Sequence, residues 1–91
     1  MWDAKRIRAL RKRLGLDPAA FGRLVGADVR SVYRWEAGPI RPTGAAEAVL
    51  NGIDESLKSS DNVSEIIQVL VGAAAIGGLA FLLVKLLSKK K

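Results

Sequence analysis

One apolar run constrains the fold of this 91-residue chain more than any other feature. Between residues 66 and 84 the only strongly polar side chain is Gln68. A core helix of a soluble protein normally shows a polar stripe, and this run shows none. A bilayer span needs about 20 such residues, whereas the roughly 60 residues that precede the run are too few to cover it. The run therefore predicts a transmembrane helix within a C-terminal segment, 65–91, rather than a core helix.

Small side chains recur inside this run at spacings of three and four residues. Such spacing lets helices approach closely in lipid, so it favours a homo-oligomer formed through the C-terminal helix. The alternative is that lipid-facing helices simply tolerate these residues. Lys85 can snorkel, which extends the predicted lipid contact to residues 66–87. The predicted helix-packing positions are Ala73, Ala74, Gly77, Gly78 and Ala80.

Composition and charge narrow the function. The chain contains no cysteine and no histidine, which removes a disulfide framework, thiolate metal sites and the commonest general base. We therefore expect no enzymatic activity, no catalytic residues, no metal and no cofactor. Residues 1–41 hold ten Lys or Arg against four Asp or Glu, a net charge of +6. This basic region predicts a polyanionic partner, nucleic acid or an anionic surface, unless it is only a solvated helix face.

The first 57 residues, here called the head, predict an all-α fold of four short helices. Ile7, Leu10 and Leu14 recur at helical spacing within residues 3–14. Aspartates suited to N-caps and glycines suited to helix ends delimit the next two helices. A proline-containing loop precedes the fourth helix, which Thr43 can cap. Residues 58–64 are a polar linker, with Ser60, Asp61 and Ser64 as candidate caps for the C-terminal helix.

The second and third predicted helices form a helix-turn-helix corner. Residues 25–28, "VGAD", make the turn, with Gly26 supplying backbone freedom and Asp28 opening the next helix. Val29 and Val32 would face inward. A helix that enters the DNA major groove needs donors on its outer face. The outward residues are Arg30, Ser31, Tyr33 and Arg34.

The segment "LDPAAFGRLVGADVRSVYRWEAG", followed by "IRP", resembles the Xre/Cro-type helix-turn-helix domains of bacteria and phages. The likeness covers roughly residues 5–57. It rests on eight positions. They are an apolar-small pair (Phe21 and Gly22), the turn glycine (Gly26), an inner valine (Val32), a Trp-Glu pair (Trp35 and Glu36), and a later Gly and Pro (Gly38 and Pro42). The "P-x-G-x-A" spacing of Pro42, Gly44 and Ala46 is closest to the antitoxin-like group.

The resemblance implies DNA binding by the start of the third helix, at Asp28, Arg30, Ser31 and Arg34, with Tyr33 beside them. Arg30 and Arg34 are the strongest candidates, because arginine can bind guanine bidentately or hold a phosphate. Trp35 is expected to pack inside, and Glu36 to hold an arginine or a backbone N–H. The predicted phosphate contacts are Arg11, Lys12, Arg13 and Arg23.

The sequence departs from the family at Asp17 and Pro18, where Ser/Thr-Gln is usual. The predicted function is a membrane-anchored DNA-binding protein, regulatory or DNA-organising. The alternative is a structural or assembly protein, of a phage or virion or as a membrane scaffold, whose head binds a protein partner or binds nucleic acid without specificity. A small membrane-active protein is a third hypothesis.

The location of the chain is predicted as membrane-associated and single-pass, with the head in the cytoplasm. Lysines 85 and 89–91 favour a cytoplasmic C-terminus, and the basic head favours a cytoplasmic N-terminal part. A single span places these two parts on opposite sides of the membrane, so the two preferences conflict. The alternative location is a virion or another large assembly.

Overall fold

The computed structural model describes residues 2–59 and 61–76, and these residues form five α-helices without a strand. The all-α prediction is thus confirmed for this part of the chain. The helices are α1 (Ala4–Leu14), α2 (Pro18–Val25), α3 (Val29–Ala37), α4 (Gly44–Ser59) and α5 (Val63–Ile76).

The first three helices begin and end where the local sequence predicts. Asp3, Asp17 and Asp28 each sit at an N-cap and accept the backbone N–H three residues ahead, at 2.8–2.9 Å. These bonds satisfy donors that the first turn of a helix leaves unpaired. Gly15 and Gly26 end α1 and α2 with φ of 71° and 78°, in the left-handed region that favours glycine.

The predicted linker is shorter in the structure. Helix α4 continues through Lys58 and Ser59, and α5 already begins at Val63. Helix α5 therefore starts two residues before the predicted C-terminal segment. Only residues 60–62 separate the two helices, so α5 follows the head closely.

A single hydrophobic core joins all five helices. Its largest fully buried side chains come from α1, α2, α3, α4 and α5 alike. They are Ile7, Phe21, Leu24, Val25, Val32, Leu50, Ile53 and Leu70. We call residues 2–76 the five-helix domain, because the first four helices and α5 share this core.

Helix α5 packs against the head, and its contact with α2 is the most extensive between any two described helices. Leu70 and Ala74 are fully buried, Ala73 is 1% exposed and Ile66 is 6% exposed. The expectation that the apolar run is not a core helix is therefore wrong for residues 66–74. The physical reason is size, because a chain of roughly 60 residues buries too little apolar surface and α5 supplies the remainder.

The predicted helix-packing residues therefore fall into two groups. The structure places Ala73 and Ala74 in the protein core, where their small side chains let α5 approach α2 closely. Gly77, Gly78 and Ala80 lie outside the described residues. Among the helices that the structure describes, none combines the length and the apolar character needed to cross a membrane. Residues 77–87 of the predicted lipid contact are likewise outside the described residues.

Neighbouring residues of α5 allow a direct test of this packing. We expect Leu70→Ala, which empties a fully buried position, to lower the free energy of unfolding by about 2–5 kcal/mol. Val71→Ala, on the exposed face of the same helix, should change it by less than about 1 kcal/mol. Urea unfolding of both variants measures the difference. Equal, small effects would show that α5 does not belong to the core.

Candidate nucleic-acid interface

The corner between α2 and α3 depends on two glycines. Gly26 takes a left-handed conformation, and the next N–H, that of Ala27, donates to the carbonyl of Gly22 at 2.8 Å. At Gly22 itself, an added Cβ would lie 2.6 Å from the carbonyl oxygen of Ala27. The chain can make this tight corner because position 22 has no side chain. The corner in turn sets where α3 lies.

Two glycine-to-alanine variants distinguish the steric effect of a methyl group at the corner from the general effect of alanine on helix stability. Gly22→Ala should lower the free energy of unfolding by about 1–3 kcal/mol, because the new methyl group meets backbone. Gly72→Ala, in α5, meets nothing within 4 Å and should raise stability by up to about 1 kcal/mol through helix propensity. Thermal or urea unfolding reports both. A stabilised Gly22→Ala variant would contradict the close approach.

Helix α3 has a fixed inner face and an exposed outer face. Val32 and Trp35 are buried, as the sequence predicts for Trp35. On the outer side Arg30 and Arg34 are exposed one turn apart, and Tyr33 is 58% exposed between them. We call Arg30, Tyr33 and Arg34 the α3 face.

Two other predicted base-reading residues, Asp28 and Ser31, are engaged with each other. The Asp28 carboxylate accepts the backbone N–H of Ser31 at 2.8 Å. This bond, together with a side-chain bond from Ser31 and the charges of Arg30 and Arg34, holds the pKa of Asp28 below its usual value. Asp28 and Ser31 therefore define the start of α3, and their predicted part in base reading stays a prediction.

The strongest polar contact of the domain ties α1 to α3. Arg11 binds Glu36 bidentately, with Nε–Oε2 at 2.6 Å and Nη2–Oε1 at 3.0 Å, and its Nη1 also donates to the carbonyl of Leu16. The two charged side chains are only 16% and 12% exposed. The prediction that Glu36 holds an arginine is confirmed. Arg11, predicted to contact phosphate, instead has all three nitrogens committed inside the domain.

Arg8 makes a second contact between α1 and α3, which the sequence analysis did not predict. Its Nη2 donates to the backbone carbonyl of Glu36 at 2.9 Å, and its Nε lies 3.6 Å from the Glu36 carboxylate. The available signal was the spacing of Arg8 and Arg11, three residues apart on one face of α1. Together the two arginines fix the C-terminal half of α3.

The Arg11–Glu36 pair predicts a pH dependence of stability. The hydrogen bond from Arg11 is the main cause that lowers the pKa of Glu36 below 4.5, and the same bond raises the pKa of Arg11. Because the folded-state pKa of Glu36 is the lower one, the stabilisation is complete above pH 4.5 and is lost as the pH falls through the folded value.

We expect Glu36→Gln to lower the free energy of unfolding at pH 7 by about 1–3 kcal/mol and to weaken the further loss below pH 4.5. Glu55→Gln, which removes the same charge from an exposed site on α4, is the matched control. Urea unfolding at pH 7, 5, 4 and 3 tests both. An unchanged acid profile in Glu36→Gln would contradict the assignment.

The remaining predicted phosphate contacts do not share one surface. Lys12 is exposed in the last turn of α1. Arg13 lines a shallow groove between α1 and α4 with Trp2 and Arg6, on a different face of α1 from Arg11. Arg23 donates from Nε to the carbonyl of Ala74 at 3.0 Å, so it is tied to α5.

Trp2 is a second feature that sequence reasoning missed. It is buried, its Nε1 donates to Asn51 Oδ1 at 2.8 Å, and the Arg6 guanidinium lies 4.2 Å from its ring centroid. Arg6 also pairs with Asp54 on α4. The signal was an apolar residue directly before the N-cap aspartate. In this pattern the apolar side chain packs against the following helix and fixes the direction in which the chain enters it.

Comparison with family models, with curated proteins and with solved structures found no match to this chain. The resemblance to helix-turn-helix domains therefore stays a prediction. Among the described residues, no group of three His, Cys, Asp or Glu side chains is placed to hold a metal ion.

Proposed function

We propose that the five-helix domain binds duplex DNA through the α3 face. The observation that carries the proposal is the pair Arg30 and Arg34, exposed one turn apart on the outside of a helix that follows a tight glycine corner. Arginine recognises guanine edges and phosphates with parallel N–H donors. An α-helix with its side chains is about 10–12 Å across, which matches the major-groove width of about 12 Å.

The scaffold around α3 favours binding because it leaves the helix little freedom. Val32 and Trp35 anchor the inner face, and the Arg11–Glu36 pair anchors its last turn. A surface that is already ordered loses less entropy when it binds. Tyr33 adds an exposed aromatic ring and a hydroxyl between the two arginines.

The charge available to DNA is smaller than the composition suggests. Arg6, Arg8 and Arg11 are each paired with a carboxylate in the domain. The cations that we assign to the contact are the two arginines of the α3 face and Lys12, which is exposed in the last turn of α1. About three phosphate or base contacts give a logarithmic salt slope of about −3, which is shallow for a DNA-binding protein.

A charge-matched pair of double variants tests the proposal. We expect Arg30→Ala with Arg34→Ala to weaken duplex binding by at least about tenfold, because both donors of the α3 face are lost. Arg13→Ala with Lys58→Ala removes the same charge from the α1–α4 side and should keep most of the affinity. Fluorescence anisotropy with 25-base-pair duplexes across a salt series measures both, after circular dichroism confirms folding.

Two results would contradict the proposal. One is no binding to any duplex at low salt by the folded full chain. The other is an equal loss in both double variants, which would reduce the effect to net charge.

The second candidate function is a structural or assembly role in which the domain docks a protein. The observation that favours it lies at the start of α2. The Asp17 carboxylate accepts the backbone N–H of Ala20, and Pro18 has no hydrogen-bond donor. Exposed apolar side chains support it as well, since Tyr33 is 58% and Ile40 51% exposed. Stoichiometric capture of one protein by a chain that ignores duplex DNA would select this function.

A further inference from the structure

We propose that the groove between α1 and α4 binds a small aromatic carboxylate as a free molecule. None of its lining residues belongs to the α3 face, so the proposal does not rest on DNA binding. Three observations lead to it: the space on the surface of α1, the surplus of cations at the rim, and a guanidinium that is stacked on an aromatic ring. The lining residues are Trp2, Arg6, Ala9, Leu10, Arg13 and Asp54.

The first observation is the space, which lies beside Ala9. Arg6 and Arg13 come three residues before and four residues after Ala9, so the three side chains share one face of α1. The methyl group of Ala9 is much shorter than its two neighbours and leaves a gap between them. The groove has a volume of about 180 Å³. Because a cavity of about 150 Å³ can bind benzene, this space suits one aromatic ring and is too small for a length of peptide.

The second observation is that the rim carries more positive than negative charge. The Asp54 carboxylate is shared by two cations, since its Oδ2 lies 3.4 Å from Arg6 Nη2 and 3.1 Å from Lys58 Nζ. Arg13 adds a third cation, which has no hydrogen bond or ion pair within the described part of the chain. Three cations against one carboxylate favour an anionic ligand. The planar guanidinium of Arg13 can donate two parallel N–H bonds to a carboxylate.

The third observation is the fixed position of Arg6. Its guanidinium lies 4.2 Å from the centroid of the Trp2 ring, and its side chain is still 41% exposed. The Trp2 ring and the Asp54 carboxylate together hold this planar group in place. Guanidinium groups stack on aromatic faces, so Arg6 can receive the ring of a ligand as well as that of Trp2. Leu10, which belongs to the hydrophobic core, gives the groove an apolar wall.

These features together define the chemistry of the ligand. Its ring fills the gap beside Ala9, in contact with Leu10 and Arg6, and its carboxylate accepts hydrogen bonds from Arg13. A neutral aromatic molecule would lose the bond to Arg13, and an aliphatic acid would lose the stacking on Arg6. A charge-assisted hydrogen bond is about twice as strong as a neutral one, so the carboxylate should dominate selectivity.

Phenylacetate is the probe, and its neutral amide, phenylacetamide, is the matched control ligand. The chain contains two tryptophans, Trp2 and Trp35, so a proton–nitrogen NMR spectrum of the full chain resolves two indole signals, which Trp2→Phe assigns. We expect phenylacetate to shift the Trp2 signal saturably, with a Kd of about 1 mM, and to leave the Trp35 signal in place. Phenylacetamide should bind at least about tenfold more weakly, because it lacks the charge.

Three variants of the full chain locate the bound molecule, after circular dichroism confirms folding. Arg13→Ala should weaken phenylacetate binding by at least about tenfold. Lys5→Ala, an equal charge loss from an exposed position of α1 outside the groove lining, should change it by less than about twofold. Ala9→Leu keeps every charge but fills the gap, so it should abolish the shift.

Three results would overturn the proposal. They are a Trp2 signal that does not shift saturably, equal binding of phenylacetamide, and phenylacetate binding by Ala9→Leu as tight as by the unchanged chain. Arg13 is not among the cations assigned to duplex DNA, so Arg13→Ala should keep its affinity for DNA. Failure of the groove to bind the probe would therefore leave the proposed function untouched.

Discussion

The burial of one face of α5 against α2 is the contact on which the rest of the structure depends. It closes the core over α2, the first helix of the α2–α3 corner, and adds apolar surface to a small domain. It also brings the Ala74 carbonyl within hydrogen-bond distance of Arg23 Nε. Leu70, Ala73 and Ala74 lie inside this core, so the described part of the apolar run serves protein packing.

A second constraint acts between α1 and α3, where Glu36 binds two arginines. Glu36 holds Arg11 through both oxygens and Arg8 through its backbone carbonyl. The same cations that make the sequence look like a polyanion binder thus serve first to position α3. What is left for a partner is a narrow surface, the α3 face, whose Arg30 and Arg34 are rigidly placed. The proposed DNA binding is accordingly modest in charge and dependent on shape.

Much of the fold could be predicted from sequence because it is locally encoded. Asp17 and Asp28 cap helices through their own next turn, and Gly26 ends one by its backbone freedom. The place of α5 could not be predicted in this way. Its exposed face carries Val71, Gly72 and Ala75 beside Gln68, so the sequence pattern does not mark which side of α5 meets solvent. The partners of Arg11 likewise depend on how α1 and α3 cross, which spacing along the chain does not reveal.

Native-state hydrogen exchange on the full chain tests the central claim, that α5 belongs to the cooperative core. The amide of Leu70 should exchange with the same free energy of opening as that of Leu50 in α4, because both side chains are fully buried in one core. Both should open only with global unfolding. Rapid exchange throughout residues 66–74, with α1–α4 still protected, would contradict the account.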